Sequence, residues 1–159
     1  MSTFTIKIIH KNPNNSVFCG LSKSFTGVLE LLKEVFPTTT ERKILSNVPG
    51  SVLILLDKKN QLFAHVEELP HKTIDGDNAW VVTKREPETN SETVWGIFDK
   101  KDKSVEFVER HLDDNPIWYY KEKCKIYEVD GYKPFHKIIG DENPELNKLH
   151  FTIYETEVK

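Results

Sequence analysis

Two stretches of this chain, 77 residues apart, are written to one plan. Ser16-Val17-Phe18-Cys19-Gly20-Leu21-Ser22-Lys23 runs into an apolar helix pattern with Val28, Leu31 and Val35, and Thr93-Val94-Trp95-Gly96-Ile97-Phe98-Asp99-Lys100 runs into another with Val105, Val108 and Leu112. A degenerate tandem repeat restricts the fold to two similar units that bury their apolar faces together. The expectation is an α+β fold of two pseudo-symmetric ββαβ modules, mostly antiparallel sheet with the helices on one side. At 159 residues the chain has room for one compact domain, built here from module 1–70 and module 79–159.

Local patterns fill in the plan. Phe4, Ile6 and Ile8 alternate as a strand requires, and Lys11-Asn12-Pro13-Asn14-Asn15 is a dense turn signal leading to a partner strand at Val17 to Leu21. Ser24 is placed to cap a helix whose Phe25, Val28, Leu29, Leu32 and Phe36 form an apolar stripe, ended by Pro37. Thr38 with Glu41 fits a capping box, which predicts a short second helix closed by Pro49-Gly50. Ser51 to Leu56 reads as a strand buried on both faces, and Lys58-Lys59-Asn60 turns it back into Leu62 to Val66. The second module repeats this with strands at Ala79 to Thr83 and Val94 to Phe98, a helix capped by Asp99, a short Ile117 to Lys121 segment in place of the second helix, and Cys124 to Val129 as the closing strand. Leu149 to Glu155 ends the pattern as a strand with Leu149, Phe151 and Ile153 on one face.

Charge and composition narrow the chemistry. The formal charge is −3 with both signs interspersed, so the chain as a whole does not attract nucleic acid or anionic lipid. No stretch combines the length and apolarity of a membrane span, and the first residues do not read as a secretory leader; the expected setting is intracellular, without a membrane. Cys19 and Cys124 are far apart and fit buried free thiols. No spacing of His, Cys, Asp or Glu matches a metal site, Asp75-Gly76-Asp77-Asn78 reads as a polar turn before Trp80, and no glycine-rich phosphate loop occurs; no metal or cofactor is expected.

Two motifs invite a chemical reading. His71-Lys72-Thr73-Ile74 and His150-Phe151-Thr152-Ile153 lie 79 residues apart, close to the repeat offset. In a strand, residues i and i+2 point the same way, so each motif presents an imidazole with a hydroxyl. The pair resembles the 2H phosphoesterases, whose two His-x-Thr/Ser motifs meet in a bilobal fold to open cyclic or 2′-5′ phosphodiesters. The resemblance implies His71 and His150 as acid-base pair, with Thr73 and Thr152 holding the phosphate. Pro70 before the first motif and Asp75-Gly76-Asp77 after it depart from that family's apolar flanks.

Trp118-Tyr119-Tyr120 followed by Lys121, Lys123, Lys125 and Tyr127 is the other conspicuous stretch. Its aromatics are candidates for a subunit contact, and the alternating lysines with Tyr127 would suit single-stranded nucleic acid. Of the 22 basic residues only Arg42, Arg85 and Arg110 are arginine, the usage of an AT-rich genome. In this style the chain resembles small uncharacterised proteins of large DNA viruses, which implies a place in the host cytoplasm or nucleus, or in the virion. The leading expectation is a non-enzymatic binding or regulatory protein acting through protein contacts, with a homodimer as one form; phosphoesterase and nucleic-acid binder follow in that order.

Overall fold

The computed structural model describes residues 2–11, 16–37, 43–70, 72–85, 91–111, 118–121 and 151–159. β1 (Thr3–His10) and β2 (Ser16–Ser22) pair antiparallel, with the register shifting between Ile6 and Lys7. Ile6 and Ile8 are fully buried on one face of this hairpin, as period-two alternation demands. α1 (Phe25–Val35) starts where Ser24 Oγ accepts the Gly27 N–H at 3.0 Å, which satisfies one of the amide donors a helix start leaves open. It ends at Phe36, whose N–H reaches Leu32 O at 2.9 Å, with Pro37 next. The buried stripe holds Val28, Leu31, Leu32 and Val35, each contributing about 1.5–3 kcal/mol by leaving water, while Phe25 and Leu29 stay half-buried at its margin.

The next elements correct the sequence reading. No helix is closed by Pro49-Gly50: Lys43–Val48 is a strand, β3, joined by that dipeptide to β4 (Ser51–Asp57). Ile44 and Val48 are β-branched and fit a pleat better than a helical turn, and Gly50 takes the positive φ of +80° that the third residue of a Pro-Gly turn requires. β4 is buried on both faces only over Ile54, Leu55 and Leu56; Ser51, Val52 and Leu53 are half-buried because their neighbour β3 is itself exposed along its whole length. β5 (Leu62–Leu69) then pairs with β4 and β1, completing the sheet order β2-β1-β5-β4-β3.

β6 (Asn78–Arg85) and β7 (Glu92–Phe98) make a second antiparallel hairpin, with its register shift between Val82 and Thr83. α2 (Lys101–His111) begins one residue too late for Asp99 to be its cap, and the Asp99 carboxylate instead takes the Lys103 ammonium at 2.9 Å. Trp118–Lys121, expected in place of a helix, is strand β8, lying parallel to β9 (Phe151–Glu157). The second sheet runs β7-β6-β9-β8. The expected closing strand at Cys124 to Val129 falls outside the described residues.

The result is a mixed α and β protein, with mostly antiparallel sheets and two helices among the described residues. Each sheet carries its helix on one face: α1 lies over β1 and β2, and α2 over β6, β7 and β9, where Val108 packs with Val82, Phe151 and Ile153. The sheets meet at β2, where Phe18 stacks on Tyr154 with ring centres 5.2 Å apart. No helix among the described residues is long and apolar enough to cross a membrane.

β2 ends its sheet, a position that normally exposes unpaired backbone groups, yet all seven of its residues are buried. Glu92 explains half of this. Its carboxylate, 1% exposed, accepts the Phe18 N–H at 2.9 Å and the hydroxyls of Thr83 and Tyr154 at 2.6 Å each. Ser91 bridges to Ser16 at the start of β2, and residues 158 and 159 cover its end: Val158 bridges to Leu21, and the Lys159 N–H reaches Leu21 O at 3.0 Å.

Candidate functional site

Side-chain alternation on the first sheet separates two faces. Phe4, Val66, Glu68 and Val52 point toward α1, whereas Lys7, His65, Glu67, Leu53 and Ser51 point away, as the cross-strand pairs require. Each face holds one arrangement that could serve a function.

On the face away from α1, Ser51 Oγ lies 2.8 Å from His65 Nε2, and His65 Nδ1 lies 3.5 Å from a Glu67 carboxylate oxygen. Burial holds the His65 imidazole below the ordinary histidine pKa, partly offset by Glu67 and reinforced by Lys7. The connectivity is that of a nucleophile, a base and an orienting acid. Ser51, however, sits inside a ladder, paired with Val48 on one side and Glu67 on the other. Strand N–H groups lie in the sheet plane, so those of β3, β4 and β5 beside Ser51 do not aim at charge developing above the hydroxyl, as the donors of an oxyanion hole do. Lys7 flanks His65 from β1, across β5 from Ser51. The trio orders a half-buried row of side chains, with Ser51 and His65 joined by a hydrogen bond.

On the α1 side, the sheet is open beside the first turn of the helix. A cavity of about 310 Å³ lies between α1 and the β3–β4 turn, with Phe4 and Phe25 edge-to-face at 6.4 Å on one side and Val48 and Pro49 on the other. Val52 and Val66 also line it, and Glu68 is the charged residue of the lining. Beside this cleft runs β3, at the end of the sheet, with Ile44, Leu45 and Val48 exposed by 46%, 45% and 53%. Trp95, also exposed, is by contrast held under the Lys84 ammonium at 5.0 Å and against Phe151 at 5.6 Å.

The candidates read from sequence are distributed elsewhere. Thr73 is exposed between β5 and β6, and Thr152 is half-buried in β9 opposite Thr83, while His71 and His150 lie outside the described residues. Trp118, Tyr119, Tyr120 and Lys121 form β8, at the end of the second sheet; Lys123, Lys125 and Tyr127 lie outside the described residues. Cys19 is buried, as expected, and Cys124 lies outside the described residues. Among the described residues no group of three or more His, Cys, Asp or Glu could hold a metal ion. The open edge and its cleft were not anticipated, although Pro49-Gly50 between two apolar runs is a hairpin signal as much as a helix stop.

Compared with protein-family models, with curated proteins and with solved structures, the chain matches none. The site must be read from its own geometry.

Proposed function

We propose that this protein is a non-enzymatic binding module whose docking surface is β3 with the cleft beside α1. The observation that carries the reading is a strand at the end of its sheet that leaves Ile44, Leu45 and Val48 exposed on its two faces, with Val48 also lining the cleft. Exposed edges are usually blunted with charge, proline or bulges. Here Lys43 and the register shift between Ile44 and Ser46 are present, yet three aliphatic residues stay exposed. An edge strand offers an extended partner both backbone hydrogen bonds and side-chain contacts.

The scaffold itself is best understood as a duplicated unit. The two hairpins break register at corresponding steps, Ile6/Lys7 and Val82/Thr83, opposite Gly20 and Gly96. Each is followed by a helix, and each has a later strand, β5 or β9, alongside its first strand. These likenesses support descent from one ββα module. β3 and β4 form an antiparallel hairpin in the first half, whereas among the described residues the second has the parallel β8 in that place, and the docking edge lies in the first half.

The test is selection of peptides from a random library on the immobilised protein. Removing two half-exposed aliphatic contacts is worth about 1–2 kcal/mol, so Ile44→Ser with Val48→Ser should weaken the selected peptides roughly tenfold. Equal binding to that variant, at unchanged melting temperature, would reject β3 as the docking edge.

A further inference from the structure

We infer that the cleft beside α1 takes one long cationic side chain, arginine above lysine, from an extended partner segment with apolar residues on either side of it. This rests on the docking reading above and names the partner's chemistry. The cleft has two unlike parts. Phe4, Phe25, Val52 and Val66 make it apolar, while Glu68, cross-strand from Phe4 and on the same face, brings a carboxylate to it. One Glu68 oxygen accepts the Ser2 hydroxyl at 2.6 Å, leaving the second to accept from an occupant.

A purely apolar occupant would strip water from that carboxylate without replacing its hydrogen bonds. An acidic occupant would meet like charge. A side chain with an apolar stem and a cationic head satisfies both parts: the stem covers Val52 and Val66, and the head reaches Glu68. Arginine has the advantage over lysine because its planar guanidinium both stacks on aromatic faces and grips a carboxylate with two parallel bonds.

A second copy of this chain suits the surface less well. The exposed parts of Ile44, Leu45 and Val48 amount to about 250 Å² per copy, which on two copies is well short of the roughly 1,200 Å² at which specific interfaces begin. β3 also carries its one cation, Lys43, at the end away from Val48 and the cleft. A single strand with an anchoring side chain makes fuller use of what is there.

The experiment uses three peptides, acetyl-Ser-Val-Leu-Xaa-Leu-Val-Ser-amide, with arginine, citrulline or norleucine at Xaa, titrated into the full chain by calorimetry and by NMR of methyl and aromatic signals. The arginine peptide is expected to bind at least tenfold tighter than the citrulline peptide and to shift the signals of Phe4, Phe25, Val52 and Val66. Glu68→Gln should bring the two peptides to within about twofold. Equal binding of arginine and citrulline peptides, with Ile44→Ser and Val48→Ser still weakening both, would overturn the cation and leave the docking edge standing. If none of the three peptides shifts the signals of either the cleft or β3, both readings fall. The citrulline comparison uses the unaltered protein, so it decides the matter even where Glu68→Gln fails to fold.

Discussion

Glu92→Ala is the substitution that most directly tests how the two sheets are held together. Three donors converge on the Glu92 carboxylate: the Phe18 N–H from one sheet and the Thr83 and Tyr154 hydroxyls from the other. Hydrogen bonds to a charged group contribute about 1.5–3 kcal/mol each, and a buried donor left without a partner costs about 1–3 kcal/mol. A simple sum overstates the loss, since the two hydroxyls can turn toward each other and a water molecule can enter the space. With one or two of the three donors left unsatisfied at about 1–3 kcal/mol each, a loss of about 2–5 kcal/mol is expected for Glu92→Ala in urea unfolding followed by tryptophan fluorescence. Glu92→Gln keeps the volume and one acceptor, and should lose about 1–2 kcal/mol, as should Tyr154→Phe alone. Because the groups share one acceptor, Glu92→Ala combined with Tyr154→Phe should cost less than the two separately, by about 0.5–3 kcal/mol. A Glu92→Ala loss under about 1 kcal/mol, or strict additivity in that cycle, would refute the argument that this carboxylate joins the sheets.

Two further outcomes follow from the geometry. A Cβ at Gly27 would stand 2.2 Å from Ser22 Oγ and 3.0 Å from the Lys159 carbonyl oxygen, so Gly27→Ala should destabilise by about 1–3 kcal/mol in thermal unfolding, with part of the loss recovered when Ser22→Ala is added. His65 binds its proton less readily in the folded chain than in the unfolded one, so between its folded pKa and the ordinary value near 6.5 the unfolded state carries more protons. Stability should therefore fall as pH drops through about 6.5 toward the folded value, and His65→Gln should flatten that part of a pH series of urea midpoints; an unchanged slope would remove His65 as its source.

Much of the architecture was legible because it rests on local rules. The alternation at Ile6 and Ile8, the Ser24 cap and the Lys58-Lys59-Asn60 turn each act over a few residues, and each behaves as its neighbours dictate. The misreadings lie where distant chain decides. Lys43–Val48 follows a plausible cap and precedes a Pro-Gly pair that suits either a helix stop or a hairpin, and pairing with β4 settles it as a strand. Glu92 looks like the end of a polar loop until Phe18, Thr83 and Tyr154 surround it. The cleft was hidden for the same reason: Phe4, Phe25, Val48 and Glu68 come from four separate elements, and no spacing in the sequence records that they meet.

The closure of β2 bears on how the chain reaches its native state. β2 forms near the beginning of the sequence, but its outward backbone groups wait for Glu92, Val158 and Lys159. Such long-range contacts require large loops to close before they give any return, and they raise contact order. During synthesis the first sheet would emerge with an open, apolar edge and keep it until the far partners arrive, a period in which it is exposed to pairing with other chains. The two sheets therefore cannot be separated cleanly: residues 1–70 expressed alone would carry a second sticky edge opposite β3, one that the intact molecule never shows.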